Sequence, residues 1–243
     1  MSCRDDAEML IELSYAIGPR ETVMEAGLKP PAITARSRLA AGRHSNTSYI
    51  ELFAHAGTHI DTPWHFNESG RKIMGFAIED FVFSRVLLLD VPSGAREPVP
   101  LTSLEPHEEK IRSSDAVLIR TGFGPYRTSD PITYVDATPG LSVGAAQFLA
   151  RFRELRCVGV DCISIENVKQ GREIGFPVHH VLLDRPEPML LLEDANLAAL
   201  KDHTVSRLWL LPLRMVDLEA SPVTAVAEVG NENPHPRITK DGR

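Results

Sequence analysis

Cysteine is scarce in this chain of 243 residues, with one each at positions 3, 157 and 162. An odd count without ligand or framework spacing excludes a disulfide scaffold or a cysteine-based zinc ribbon. The thiols are therefore expected to be reduced and the chain cytoplasmic. Long apolar runs are missing too. Stretches such as 86–91 and 189–192 have strand length, far below the roughly 20 residues that cross a bilayer. The first eight residues are polar and acidic where an export signal would carry a basic start and an apolar run. Positive charge is in deficit, 26 Lys and Arg against 33 Asp and Glu, for a net charge of -7. No basic patch is available to neutralise phosphates, which argues against nucleic acid or an anionic membrane and for a small-molecule substrate.

No linker, internal repeat or low-complexity tract divides the sequence. Hydrophobic residues at 43% and charged residues at 24% fit an ordinary globular protein. One domain over 1–230 is expected, followed by a loosely ordered tail over 231–243, where Pro234 and Pro236 stand among few apolar residues. Residues 9–17 alternate as a first strand that stops at Gly18-Pro19, and 46–53 read as a second, rich in β-branched and aromatic residues. Continuous apolar runs at 85–91, 115–122 and 157–161 read as buried strands, and Ser142 caps a predicted helix to about Arg153. Strand, helix, strand in that order predicts a parallel crossover unit. Further strands are predicted at 189–193, 207–213 and 223–229, with a short helical piece near 195–200.

The densest chemistry lies at 55–66, His-Ala-Gly-Thr-His-Ile-Asp-Thr-Pro-Trp-His-Phe. Imidazoles and a carboxylate suit a borderline divalent cation such as zinc or manganese, one or two ions with positions left open for water. His55, His59 and Asp61 share parity, so an extended chain presents them on one face, and Gly57 allows a bend between the first two. Gly57, Thr58 and Pro63 disfavour the helical alternative. His65, beyond the stiffening Pro63, is set apart as a candidate general acid or base. His44, His107, His203 and His235 have no ligand-spaced partners and are expected to serve surface or core roles.

This stretch resembles the signature His-x-Gly-Thr-His-x-Asp-x-Pro-x-His-Phe of the cyclase-like metal-dependent hydrolases, which include bacterial kynurenine formamidases and isatin hydrolases. The likeness extends to residues 11–14, 118–122, 139–142, 158–164, 211–213 and 221–223. It implies an α/β fold, a swivelling β/β/α single domain with a mixed central sheet, and a homo-oligomer. It also implies that His55, His59 and Asp61 bind a first metal, that His65 transfers a proton, and that a later histidine and glutamate complete a second site. His179 and Glu193 match those two, with His180 as the alternative histidine. Trp64, Arg120, Asp161, Ser164 and Glu166 are candidates for substrate contact or for support of the ligands.

The implied reaction is attack of a metal-activated water on an amide, cyclic amide or lactone carbonyl. Residues 15–35 lack the Trp-Pro-Gly-Asp element of the formamidases, so a strict arylformamidase is the narrower alternative. A non-hydrolytic metal-dependent cyclase or lyase and a silent binding homologue are the others.

Overall fold

A computed structural model describes residues 9–201 and 203–230. The expected tail, 231–243, and Cys3 lie outside the described residues. Eleven strands are found among them: β1 (Met9–Glu12), β2 (Ala32–Ser37), β3 (Thr47–Glu51), β4 (His59–Asp61), β5 (Val82–Phe83), β6 (Val86–Asp90), β7 (Ala116–Arg120), β8 (Cys157–Val160), β9 (Leu190–Glu193), β10 (Thr204–Pro212) and β11 (Ala220–Gly230). The α-helices are short: α1 (Glu108–Arg112), α2 (Tyr126–Ser129), α3 (Pro131–Asp136), α4 (Val143–Ala150), α5 (Val168–Ile174) and α6 (Pro177–Leu183). No described helix is long and apolar enough to cross a membrane.

The main sheet runs in the order β5, β10, β11, β4, β9, β8, β7, β6, with β1 added on β11. Strands β6 to β9 are mutually parallel. The pairings of β1, β4, β5, β10 and β11 are antiparallel. The first and last strands of that path, β5 and β6, are separated in the chain by Ser84 and Arg85 alone. The sheet must therefore curl back on itself, and it forms a nearly closed mixed barrel. Its parallel strands β7, β8 and β9 are buried on both faces, which is why they read as unbroken apolar runs. Val117, Ile119, Val158 and Val160 face α4 and α6, while Ala116, Leu118 and Cys157 face the barrel interior with Ile60, Leu192 and Leu208.

The crossover unit read from the sequence is present as β7, α4 and β8. Ser142 caps α4 by accepting from Ala145 N, and β7 and β8 pair in parallel. Other elements differ from the sequence reading. β1 ends at Glu12 because Ser14 replaces the backbone in the ladder, its Oγ donating to Val223 O at 2.8 Å and accepting from Ala225 N at 2.8 Å. The strand expected at 46–53 is shorter, and it pairs with β2 in a separate two-stranded hairpin. β2 had no sequence signal, because its residues are largely exposed on both faces and so show no alternation.

A buried network closes the barrel end that carries β9. Arg127 on α2 donates through Nε to Asp194 Oδ1 at 2.8 Å, and Tyr134 on α3 donates to the same oxygen at 2.7 Å. Asp194 follows Glu193 directly, takes a left-handed φ of 51°, and is fully buried. Its carbonyl accepts from Thr58 Oγ1 at 2.6 Å, joining the start of β4 to the end of β9. Burial raises the Asp194 pKa, and Arg127 opposes that shift. Arg127→Met would strand this carboxylate without its cation. It should cost about 3–5 kcal/mol of folding stability in denaturant titration, and a loss within the ordinary surface range would show that the pair is not supporting the barrel end.

Candidate metal centre

Two residues of β4 set the site. His59 and Asp61 share one face, and the antiparallel register places Glu193 of β9 directly opposite His59. His55 lies in the turn before β4, which Gly57 allows by taking φ of +67°. After β4, Pro63 opens a single 3-10 turn that ends at His65. α6 then brings His179 to the cluster, packing beside the turn that carries His65.

These side chains converge. His55 Nδ1 is 2.9 Å from Asp61 Oδ1, and His59 Nε2 is 3.4 Å from both Asp61 Oδ1 and Glu193 Oε2. His179 Nε2 lies 3.5 Å from Glu193 Oε1 and 4.0 Å from Asp61 Oδ2. His65 Nε2 is 3.9 Å from Asp61 Oδ2. Two groups of atoms are spaced for cation binding, His55 with Asp61 and His65, and His59 with Asp61 and Glu193, so Asp61 belongs to both. His65 therefore stands close enough to join the ligands, beside the proton-transfer role that the resemblance implies.

The donors fit a divalent ion on physical grounds. Asp61 is fully buried, yet neither of its oxygens has a hydrogen-bond partner among the described residues, and His59 Nε2 is also without one. A buried carboxylate left this way costs several kcal/mol unless a cation faces it.

The outer nitrogens of the imidazoles are already engaged. His59 Nδ1 meets Gly57 O at 2.8 Å, His179 Nδ1 meets Glu166 Oε1 at 2.6 Å, and His55 Nε2 meets Glu219 Oε1 at 3.2 Å. A donor–acceptor pair on the outer nitrogen fixes the tautomer and turns the other nitrogen inward. His59 and His179 thus offer Nε2, and His55 offers Nδ1.

In the metal-free protein these imidazoles hold protons in place of an ion. Burial pushes His55 and His179 down, but the carboxylates around them prevail and raise both to about 9. For His55 the main opposing group is Asp61, and for His179 it is Glu166 followed by Glu193. His59 is also raised, by Asp61 and Glu193 against its burial. Glu193 is brought down to about 2 by His179 and His59, against burial and the charge of Asp61. His65 differs, because burial dominates and lowers it. It is neutral near pH 7, as a general base must be.

Other candidates fall into different places. Ser164 lines the cavity and donates to Glu193 Oε1 at 3.1 Å, where Ile165 N also donates at 2.6 Å. Glu166 orients His179 and accepts from its backbone N at 3.0 Å. Gly140 makes this possible: its φ is +60°, and a Cβ there would overlap Glu166 Cα and sit 2.8 Å from Ile165 O. His180 points away from the cluster to Asp184 Oδ2 at 2.8 Å. Asp161 accepts from Thr121 N at 2.8 Å and Gly122 N at 3.0 Å, holding the turn after β7. Arg120 is clamped by Asp90 and by Lys201 O, outside the cavity. Trp64 also lies outside it, beneath the Lys72 ammonium. Cys162 is no nucleophile, since burial pushes its thiol up to about 12.

Glu219 carries no signal in the sequence. It reaches His55 only because β4 pairs with β11 and its carbonyl accepts from Thr62 N at 2.9 Å and Thr62 Oγ1 at 2.8 Å.

Above the cluster is a cavity of about 320 Å³. Phe53, Phe66 and Phe176 form aromatic walls, with Phe66 stacked on His179 at 4.6 Å between ring centroids. Val23, Met24 and Leu28, from the irregular segment between β1 and β2, complete the apolar lining with Ile163 and Val168.

Two outcomes follow for metal binding. A group raised from 6.5 to about 9 contributes stability that is complete below 6.5 and is lost as pH rises through 9. The metal-free protein should lose stability across that window, while metal affinity rises because neutral imidazoles are the ligands. Calorimetry at pH 7.5 in buffers of different ionisation enthalpy should record proton release of about one or more per ion, and none would contradict the protonated cluster. Glu166→Gln, which leaves His179 in place but weakens its orientation, should lower metal affinity about 10- to 100-fold; unchanged affinity would remove Glu166 from this role.

Comparison with known proteins places this geometry in context. The Cyclase family model matches residues 11–167, which include the whole 55–66 stretch and Glu166. An uncharacterized protein of Haemophilus influenzae is 33% identical over 107 residues, covering 44% of this chain and 75% of that one. A kynurenine formamidase of Bacillus mycoides is 29% identical over 184 residues, covering 74% and 79%. In structure, an isatin hydrolase bound to the product analogue thioisatinate aligns with a TM-score of 0.77 at 19% identity, covering 92% and 93% of the two chains. That structural likeness extends to the fold, and with the match over residues 11–167 the conclusion is direct: the chain belongs to the Cyclase family.

Proposed function

We infer that the chain is a metal-dependent hydrolase that cleaves the carbonyl–nitrogen bond of an amide or cyclic amide carried on an aromatic ring. The observation that carries this reading is the bare, buried Asp61 carboxylate among inward-turned imidazoles at the floor of an aromatic cavity. The kynurenine formamidase and isatin hydrolase relatives support it. His55, His59, Asp61, His179 and Glu193 would hold the ion, and imidazole with carboxylate suits zinc or manganese. When bound, a divalent ion lowers the pKa of a water towards roughly 7 and polarises a carbonyl.

The rest is the work of side chains. His65, kept neutral by burial, takes a proton from the attacking water and returns it to the departing nitrogen, so that one water adds across the broken bond. Ser164 and Ile165 N hold Glu193 and keep it from acting as a mobile base. Phe53, Phe66 and Phe176 seat the ring and exclude solvent.

Two further properties are proposed. A cytoplasmic location fits free, buried thiols at Cys157 and Cys162. Self-association fits the β2–β3 hairpin, where Ile33, Tyr49 and Ile50 are all more than half exposed, although an isolated hairpin is marginal in water.

The test is hydrolysis of formanilides and isatins by metal-loaded protein in ¹⁸O water. One label should appear in the released acid. Product without label would favour a cyclase or lyase, and no turnover at all would favour a silent homologue. His65→Ala should reduce kcat about 100- to 10,000-fold with metal content near that of the unmodified protein, and equal loss of metal would make His65 a ligand. Asp61→Ala should lose both metal and turnover.

A further inference from the structure

Apart from the metal-centre cluster and the Ser164 that braces it, two polar side chains among the described residues line the cavity, Glu25 and Arg172. Arg172 lies on α5 and Glu25 on the irregular segment between β1 and β2. They meet in one hydrogen bond, Arg172 Nη2 to Glu25 Oε2 at 2.9 Å. Arg172 has no other hydrogen-bond partner among the described residues. A guanidinium has five donors, so most of its capacity remains available.

The pair is built to be exchanged. The Arg172 side chain is 67% exposed, and an ion pair in that setting adds little to stability. A carboxylate brought in by a bound ring would meet the same guanidinium with water displaced by the apolar walls, where the attraction is stronger. Among the described residues no other cationic side chain lines the cavity beyond the imidazoles on its floor.

Resting on the hydrolase reading above, we propose that Arg172 determines specificity by binding a carboxylate at the end of the aromatic amide remote from the scissile bond. Glu25 occupies the guanidinium until that carboxylate replaces it. The substrate class is thus an aromatic amide bearing an anionic substituent.

The test compares formanilide with its ortho, meta and para carboxyethyl derivatives, using metal-loaded full-length protein. The ratio of kcat/KM for the best carboxylated compound to that for formanilide should fall about tenfold or more in Arg172→Met. The loss should lie in KM, and Arg172→Lys should retain part of the preference. Glu25→Gln should raise the ratio. An unchanged ratio in Arg172→Met, or a ratio lowered as much by Glu25→Gln, would overturn the proposal. Calorimetric binding of the matching carboxyethyl anilines, the products, separates this from the hydrolase reading because it needs no turnover. Binding weakened about tenfold or more in Arg172→Met supports the Arg172 role even if no amide is cleaved, and equal binding in both proteins sinks it.

Discussion

A buried carboxylate ringed by imidazoles stands at the centre of this protein. Asp61 is fully enclosed, with His55 Nδ1 2.9 Å from one oxygen and no formed hydrogen bond to either among the described residues, at a depth where unpaired charge is strongly penalised. Much around it can be understood as compensation. The strand that carries it also carries His59 on the same face, the turn before it supplies His55, and the register of β4 with β9 sets Glu193 across from His59. His55, His59 and His179 are each turned inward by an acceptor on the outer nitrogen. Without an ion the cluster balances itself with protons. With one, the same atoms become ligands.

That arrangement was readable in the sequence to the extent that it is local. Parity and density in residues 55–66 pointed to a shared face and a cation, and apolar runs at 115–122 and 157–161 around a Ser142-capped helix pointed to β7, α4 and β8. What depends on distant pairing was hidden. Glu219 is one acid among many until β11 lies beside β4, 164 residues from the histidine it touches. His179 and His180 are neighbours with equal chemistry. Helix α6 turns one towards the cluster and the other to solvent, and the Glu166 carboxylate at its first turn pins the choice. Arg172 carries no signal in the sequence, because nothing local shows that α5 borders a cavity. β2 was invisible for the opposite reason, since a strand exposed on both faces leaves no pattern to read.

The supports of the site are as demanding as its ligands. Glu166, in the loop that leaves β8, can pack against the turn before α4 only because Gly140 has no side chain there. Asp194 accepts an unusual backbone angle next to Glu193, held by Arg127 and Tyr134. Strain and burial thus gather within one residue of the ligands, which is where precise placement matters most.

The pairing of β4 has one more consequence, for the order of biosynthesis. This three-residue strand is flanked by β9 and β11, and Thr62 is fastened to Glu219, 157 positions later. While the chain is emerging from a ribosome, the histidines of 55–65 have no partner strand for most of the synthesis. The ion-binding pocket is a late product of topology, complete only once β9 and β11 have been made. A nascent chain that captured metal early would do so in a geometry unlike the final site.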